Sequence, residues 1–335
     1  TYYTQTFPER PGARIADLNC LNNGWESDVY AFRVDWDGDN GRQSEELILR
    51  IYPGGDAAQK SAGEFRALSL LKKVGYPVPR VDRLEVEHSP FGQPFLIMEA
   101  IQGRSMWGIM FHAMPWRQPR YLAQFCGLLA RLHAIDWRPY VPNPDEFEPG
   151  GDYAIVDKQI DRWRPFFDAM PMPGFISNLE WLTAHQHDVI SRKASLIHWD
   201  FHPNNILLKA NGEAIVIDWT GLDVSDYRFD LAWTLLLIAS TEGHRWRARL
   251  LRAYERQAGH PVEDMEFFIA AGCFRRLYSV IASVAYGPDK LGMRPGAEAQ
   301  MRQHARPLRY VYSQLQAITG QPIPEVEDFL VANKA

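Results

Sequence analysis

Leu47, Leu49 and Ile51 alternate with polar neighbours through Glu46–Tyr52 (ELILRIY), the period of a strand with one buried face. A partial alternation also runs through Asp28–Asp35 (DVYAFRVD). The intervening DGDNGR has turn composition, so the two segments are expected to pair as a hairpin. The period then changes. Ala62, Phe65, Leu68 and Leu71 fall three apart and predict a helix over 57–74, stopped by Gly75, Pro77 and Pro79. Arg83–Glu87 and Pro94–Glu99 (PFLIME) read as short strands, and Ala100-Ile101-Gln102-Gly103 as a hinge. From Ser105 onward the spacing is mainly three to four. Helices are expected over 118–135, across 185–193 and through most of 229–335, while the Pro-rich, aromatic stretch Arg138–Gly174 is read as irregular and on the substrate side. A second strand-turn-strand signal, NILL-KANGEA-IVID, ends at Asp218 and turns at Asn211-Gly212. No segment repeats with a period of 20–50 residues. The pattern predicts an α+β fold: a small β-rich N-terminal lobe over 1–99, a hinge over 100–104, and a larger helical lobe over 105–335 that carries one hairpin, with a cleft between the lobes.

Composition narrows the function classes. The 335 residues are 46% hydrophobic and 23% charged, globular values that argue against wholesale disorder. Lys and Arg number 36 against 41 Asp and Glu, a formal net charge of -5, and no basic stripe points to nucleic acid. Cys20, Cys126 and Cys273 lie far apart and are odd in number, which suits a reducing compartment better than a disulfide framework. The wholly apolar runs are too short to span a bilayer, and the polar start TYYTQTFPER has no signal-peptide pattern. A soluble, cytoplasmic protein without membrane or nucleic-acid partners is expected. Oligomeric state is not readable.

The chemistry concentrates in Leu196–Trp219, LIHWDFHPNNILLKANGEAIVIDW. Asp200 supplies a carboxylate, Asn205 an amide five residues later, and Asp218 a second carboxylate beyond the hairpin, whose turn is expected to bring Asn205 and Asp218 together. Phosphoryl transfer from ATP asks for such a set: oxygen ligands for Mg²⁺ and a separate carboxylate to orient and deprotonate an attacking hydroxyl. His198 and His202 stand four apart, but Pro203 disfavours the continuous helix that a zinc pair would need, and no third ligand follows at metal spacing. Two carboxylates also suit a glycosidase, although nothing in the sequence fixes their separation.

HWDFHPNN followed by IVIDW resembles the HGDxHxxN…IDW signature of the aminoglycoside phosphotransferase and choline kinase family, which has a protein-kinase-like fold. The likeness runs in order from about Leu21 to at least Trp233. It implies Asp200 as catalytic base, Asn205 and Asp218 as Mg²⁺ ligands, and His198 as the histidine bracing the loop. The family's Asp-Pro-x-x-Asp-Leu-Ala segment corresponds to Asp226–Ala232, which implies that Asp230 supports the catalytic loop from the helix below. Two positions depart from the pattern. Trp199 replaces the usual Gly and either lines the acceptor pocket or points into the core; Tyr227 replaces the usual Pro.

The N-terminal half carries matching features. Leu21–Asp28 (LNNGWESD), with Gly24 and Ser27, is placed where the family has a short loop over the triphosphate. Arg50 falls where the family sets a phosphate-binding Lys or Arg, on the strand face opposite Leu49 and Ile51. Glu64 on the first helix is the implied ion-pair partner. PFLIMEAIQG resembles the adenine-binding strand and hinge, which implies that the Glu99 carbonyl and the Ile101 N–H hold the base. The expected activity is an ATP- and Mg²⁺-dependent transfer of phosphate to a small-molecule hydroxyl acceptor. The alternatives are a catalytically silent nucleotide-binding module of the same fold and a hydrolase using Asp200. The acceptor is not readable: antibiotic, choline-like, sugar and amino-acid alcohols all fit. Neither lobe is strongly acidic, and the many tryptophans of the second lobe suit stacking on an acceptor as well as core packing.

Overall fold

The alternation around Leu47 becomes the middle of a five-stranded antiparallel sheet in this computed structural model, which describes residues 2–21, 27–39, 41–147, 150–191, 193–291, 293, 296–303 and 305–333. The chain forms two compact units. The first is built chiefly from Thr1–Gly103 and Leu207–Thr220; the second is built from Arg104–Ile206, Gly221–Leu291 and the C-terminal stretch.

In the first unit, helix α1 (Tyr2–Thr6) precedes strands β1 (Arg14–Cys20), β2 (Asp28–Gly38) and β3 (Gly41–Ile51), helix α2 (Ala57–Lys73), and strands β4 (Val81–Glu85) and β5 (Phe95–Glu99). The sheet order is β1-β2-β3-β5-β4. One face is apolar. Phe32, Val34, Leu47, Phe95 and Ile97 bury it together with Tyr3 and Phe7, while Leu49 and Ile51 pack against it. Because side chains alternate, Arg50, which pairs with Val29 and Leu96, points to the other face. Helix α2 buries Ala57, Ser61, Glu64, Ala67, Leu68 and Leu71, a helical stripe with one carboxylate in its middle.

The second unit opens with the two-residue strand β6 (Arg104–Ser105) and helices α3 (Met106–His112) and α4 (Gln118–Ala134). It continues through α5 (Ala154–Ala169), α6 (Pro173–His185) and strand β7 (Ser195–Ile197). Two expectations need correction here. The Pro-rich segment 138–174 is not irregular throughout: Ala154–Ala169 is helical and carries Pro165 within it. The helix expected across 185–193 is instead the end of α6, because the chain turns after His185 to enter β7.

The hairpin strands are β8 (Ile206–Leu208) and β9 (Ala214–Val216), joined by a turn in which Lys209 donates its N–H to Glu213 at 2.9 Å. A division by chain order assigns this hairpin to the helical lobe. Instead Leu207–Thr220 packs in the first unit. Val216 donates its N–H to the Pro77 carbonyl at 2.8 Å, and the Trp219 ring meets Tyr76 edge-on at 5.6 Å. Gly103 lies against the hairpin too; a Cβ there would sit 3.0 Å from the Leu208 carbonyl oxygen, so the close approach needs glycine.

Strand β10 (Asp223–Ser225) pairs antiparallel with β7, Val224 opposite Leu196. The second unit then runs through α7 (Tyr227–Glu242), α8 (Arg245–Ala258), α9 (Met265–Tyr286), α10 (Ala297–Gln303), α11 (Ala305–Thr319) and α12 (Pro324–Ala332). Helix α9 is long and apolar enough to cross a membrane, but it is mostly buried, packed on α7, α6 and α11 as a core helix.

Candidate active site

In the first unit, polar groups converge on Arg50. Its Nε donates to Ser27 Oγ at 2.7 Å, its Nη1 to Glu64 Oε1 at 2.9 Å, and its Nη2 to Asp218 Oδ1 at 2.7 Å. The Arg50 side chain is 12% exposed and that of Glu64 is 1% exposed. Two further donors complete Glu64: the Tyr52 hydroxyl on Oε2 and the Trp219 N–H on Oε1 at 3.3 Å. Burial works against the Arg50 charge, but Glu64 and Asp218 outweigh it and hold its pKa well above the usual value. Burial also pushes the Glu64 carboxyl up, with Arg50 opposing. Asp218 adopts a φ of +68°, a left-handed conformation in which Asp is among the better tolerated non-glycine residues. Thr220 Oγ1 donates to the same Asp218 oxygen at 3.4 Å. Glu99 closes β5, its N–H donating to Arg80 O at 2.9 Å, and half-buried Ile101 follows two residues later. Gly24 lies outside the described residues.

In the second unit, the loop between β7 and β8 carries Asp200, and its backbone hangs on one buried carboxylate. Asp230, on the first turn of α7, accepts the His198 N–H at 2.8 Å and the Trp199 N–H at 2.9 Å. His133 of α4 lies 3.3 Å from the same carboxylate through Nε2, while its Nδ1 faces the Tyr254 hydroxyl at 2.8 Å. The His198 ring turns back on the loop, with Nδ1 accepting the Asp200 N–H at 3.3 Å. Asp226 caps α7 by accepting the Arg228 N–H at 2.8 Å. Tyr227 occupies the first helical position, where proline is pre-organised; here it stacks on Tyr254.

The Asp200 carboxylate is gripped on both oxygens. The Trp233 indole donates to Oδ1 at 3.0 Å, and the Asn205 amide donates to Oδ2 at 3.3 Å and to the Asp200 carbonyl at 3.0 Å. His202 Nε2 lies 3.3 Å from Oδ2. Because His202 Nδ1 accepts the Asn204 N–H at 3.2 Å, the ring proton sits on Nε2, facing Asp200. Burial pushes the Asp200 carboxyl up, but His202, the Trp233 hydrogen bond and His198 outweigh it, and its pKa falls well below the usual carboxylate range.

Asp218 thus belongs with Arg50, Glu64 and Ser27, and Asn205 with Asp200, His198 and Asp230. Among the described residues no three His, Cys, Asp or Glu side chains form a metal cluster. A profile of the phosphotransferase enzyme family matches residues 17–265, from within β1 to the start of α9 and across both sets of residues.

The chain belongs to the phosphotransferase enzyme family.

Solved structures share the fold of this phosphotransferase-family chain. A Ralstonia eutropha protein provisionally termed an aminoglycoside phosphotransferase superposes with a TM-score of 0.66 at 19% identity, over 96% of this chain and 97% of that one. A thermostable mutant of aminoglycoside phosphotransferase APH(4)-Ia, solved with AMP-PNP and hygromycin B, gives 0.56 at 18% identity over 96% and 98%. APH(2")-IIia with GDP and kanamycin gives 0.59 at 16% identity over 99% of both chains. At these identities the likeness carries the fold: a protein-kinase-like architecture with a β-rich first lobe and a helical remainder. By sequence, the mouse acyl-CoA dehydrogenase family member 10 is 27% identical over 233 residues, 66% of this chain. The human acyl-CoA dehydrogenase family member 11 is 25% identical over 197 residues, 56% of this chain. The matched segments span only 20% and 25% of those relatives. The Bacillus subtilis protein YcbJ is 24% identical over 67% of this chain and 72% of its own length.

Several groups in these two sets of residues escape the motif. Tyr52 stands two residues after Arg50, one past the end of β3, and its N–H still reaches the Pro94 carbonyl at 2.9 Å, so the period of two already sets both side chains on one face. Trp233 stands three after Asp230 on α7, one turn along the same face. His202 lies inside the motif, yet its sequence position does not reveal which ring nitrogen meets Asp200.

Proposed function

We propose that the chain is an ATP- and Mg²⁺-dependent phosphotransferase that moves the γ-phosphoryl group to a hydroxyl of a small molecule. The observation that carries this reading is the Asp200 carboxylate, ionised and fixed by Trp233, Asn205 and His202 on a loop pinned by Asp230. Family membership supports it, and so do the nucleotides in the complexes of similar structures.

Asp200 accepts a hydrogen bond from the acceptor hydroxyl and aims its oxygen at the γ-phosphorus. It takes the proton as the new O–P bond forms and the bond from the γ-phosphorus to the β–γ bridging oxygen breaks, releasing ADP. Arg50, with three of its five N–H groups held by Ser27, Glu64 and Asp218, presents the rest to phosphate oxygens as a fixed cation. Glu64 and Tyr52 keep that guanidinium from swinging away. Gly24 and Ser27 contribute to the phosphate loop, and the Glu99 carbonyl and Ile101 N–H hold the adenine edge. Asp218 and Asn205 offer hard oxygen donors, the chemistry Mg²⁺ prefers, and one or two such ligands suffice when phosphates complete the shell. Bound there, Mg²⁺ would neutralise charge on the transferring phosphoryl group. A cytoplasmic setting, where ATP is supplied, suits three cysteines that form no disulfide.

The test is ADP release from ATP·Mg²⁺ against pools of hydroxyl compounds, with phosphorus NMR on the product. Acceptor-dependent release and a new phosphate monoester are expected. ATP hydrolysis without monoester, or no nucleotide binding, would contradict the reading.

A further inference from the structure

Two consecutive arginines of α9 reach the tryptophan that holds Asp200. The Arg275 guanidinium lies 4.2 Å from the centre of the Trp233 ring and 4.6 Å from that of Trp199, and its Nη1 donates to the Trp199 carbonyl at 3.3 Å. The Arg276 guanidinium approaches the Trp233 ring at 5.9 Å. Burial lowers its pKa while the charge of Asp200 opposes that fall, so the two charges sense each other. The Trp233 indole N–H meets Asp200 itself at 3.0 Å. The catalytic carboxylate is therefore backed by an indole that carries two guanidinium groups on its surroundings.

The acid next to this wall is already compensated. Asp223 receives the Trp199 indole at 3.5 Å and Arg162 Nη1 at 2.7 Å. An acceptor whose hydroxyl reaches Asp200 would lie beside Trp233 and meet positive charge. A polycation would be repelled there. An oxyanion would be attracted: a guanidinium cannot shed its proton at neutral pH, presents a planar fork, and is partly dehydrated by the indoles that flank it.

We propose that the acceptor carries, an indole's width from its reacting hydroxyl, an anionic carboxylate or phosphate group bound by Arg275 and Arg276 beside Trp233. This inference rests on the phosphotransferase reading and specifies its substrate class.

The experiment uses the full chain with ATP·Mg²⁺ and matched acceptors. These are hydroxycarboxylates of increasing chain length, their neutral amides, their amine analogues, and hydroxyalkyl phosphates; kcat/KM is read from ADP release. The acid or the phosphate is expected to exceed its neutral counterpart by at least about tenfold, the value of one strong charge-assisted contact. Comparison of those two arms tells which oxyanion is bound. Arg275→Gln and Arg276→Gln should bring the ratio toward one, and the corresponding Lys variants should restore part of it, which loss of packing alone would not allow. Equal use of amide and acid, preference for the amine, or a ratio unmoved by the Gln variants overturns the inference. So does an equal loss on acid and amide, which would place the guanidiniums on the transferring phosphoryl group. Calorimetric ATP binding is measured alongside. Bound ATP with no anionic acceptor used overturns this inference alone; absent ATP binding overturns the phosphotransferase reading, and this inference with it.

Discussion

Trp199 donates its backbone N–H to Asp230 Oδ1 at 2.9 Å while holding a φ of +64°. A left-handed backbone costs a bulky residue roughly 1–2 kcal/mol, so something must hold it. Asp230 does so from α7, taking the His198 N–H on its other oxygen. The turn that delivers Asp200 is thus set by a helix the chain reaches thirty residues later. The glycine usual in the family at this position fits the same conformation without strain. Here Trp199 is buried, its ring near Phe229 and under the Arg275 guanidinium, which decides for the core over an open pocket wall.

Replacing that carboxylate should cost stability and turnover together. Asp230→Ala leaves two buried N–H groups without their acceptor, at about 1–3 kcal/mol each. Asp230→Asn keeps one acceptor oxygen and should fall between wild type and Ala. Thermal melting and turnover, measured on both variants, check the order. An Ala variant that melts like wild type would show that the loop does not depend on Asp230.

Arg50 should not tolerate lysine. Three partners in three directions, Ser27, Glu64 and Asp218, match the guanidinium fork and not a single ammonium. Arg50→Lys should raise KM for ATP by about tenfold or more, the equivalent of one lost charged hydrogen bond, and Arg50→Ala by more. Nucleotide titration measures this directly. Lysine at wild-type affinity would contradict the role given to the fork.

The pH dependence follows from the sign of the Asp200 shift. Its pKa in the folded protein is depressed, so its stabilising contribution is present above the free carboxylate value and is lost only as pH falls through the lower folded value. Turnover should therefore show no acid limb from Asp200 near pH 4, where a free Asp titrates. His202→Ala removes the largest influence opposing burial. Its acid limb should move to higher pH, read from kcat profiles of the two proteins. Coincident profiles would remove His202 from the network.

Much of this was legible along the chain, and the failures are physical. Leu47, Leu49 and Ile51 announced β3 because one face of it is buried, and the spacing in 57–74 announced α2. Strand β1 was silent because it is an edge strand with most of its residues exposed, so RIADLNC has no buried face to write into sequence. Helix α5 was hidden by Pro165 and by aromatic side chains that sequence alone reads as irregular. Strands β7 and β10 are three residues each, too short for any period. The motif named Asp200, Asn205 and Asp218 without showing that Asp218 packs with Arg50 and Asn205 with Asp200. Those groupings come from tertiary contacts such as Trp219 against Tyr76.

Glycine at 221 should matter for catalysis more than for folding. A Cβ there would sit 3.0 Å from the His198 carbonyl and 3.4 Å from the Trp199 Cβ, so Gly221→Ala must push the loop that carries Asp200. Displacements well under 1 Å are enough to lower turnover, with ~10²-fold lost for a full ångström. The variant is expected to melt near wild type and to lose kcat with little change in ATP binding. An equal loss of ATP affinity would point to a wider rearrangement.

The most direct test of the account is Asp200→Asn, assayed for phosphate transfer and for ATP binding on the same preparation. Asparagine keeps the size of the side chain and removes the proton acceptor. Turnover should fall by ~10²–10⁴-fold, the usual contribution of a general base, while ATP affinity stays within a few-fold of wild type. Turnover that survives the substitution would contradict the assignment of Asp200 as the base.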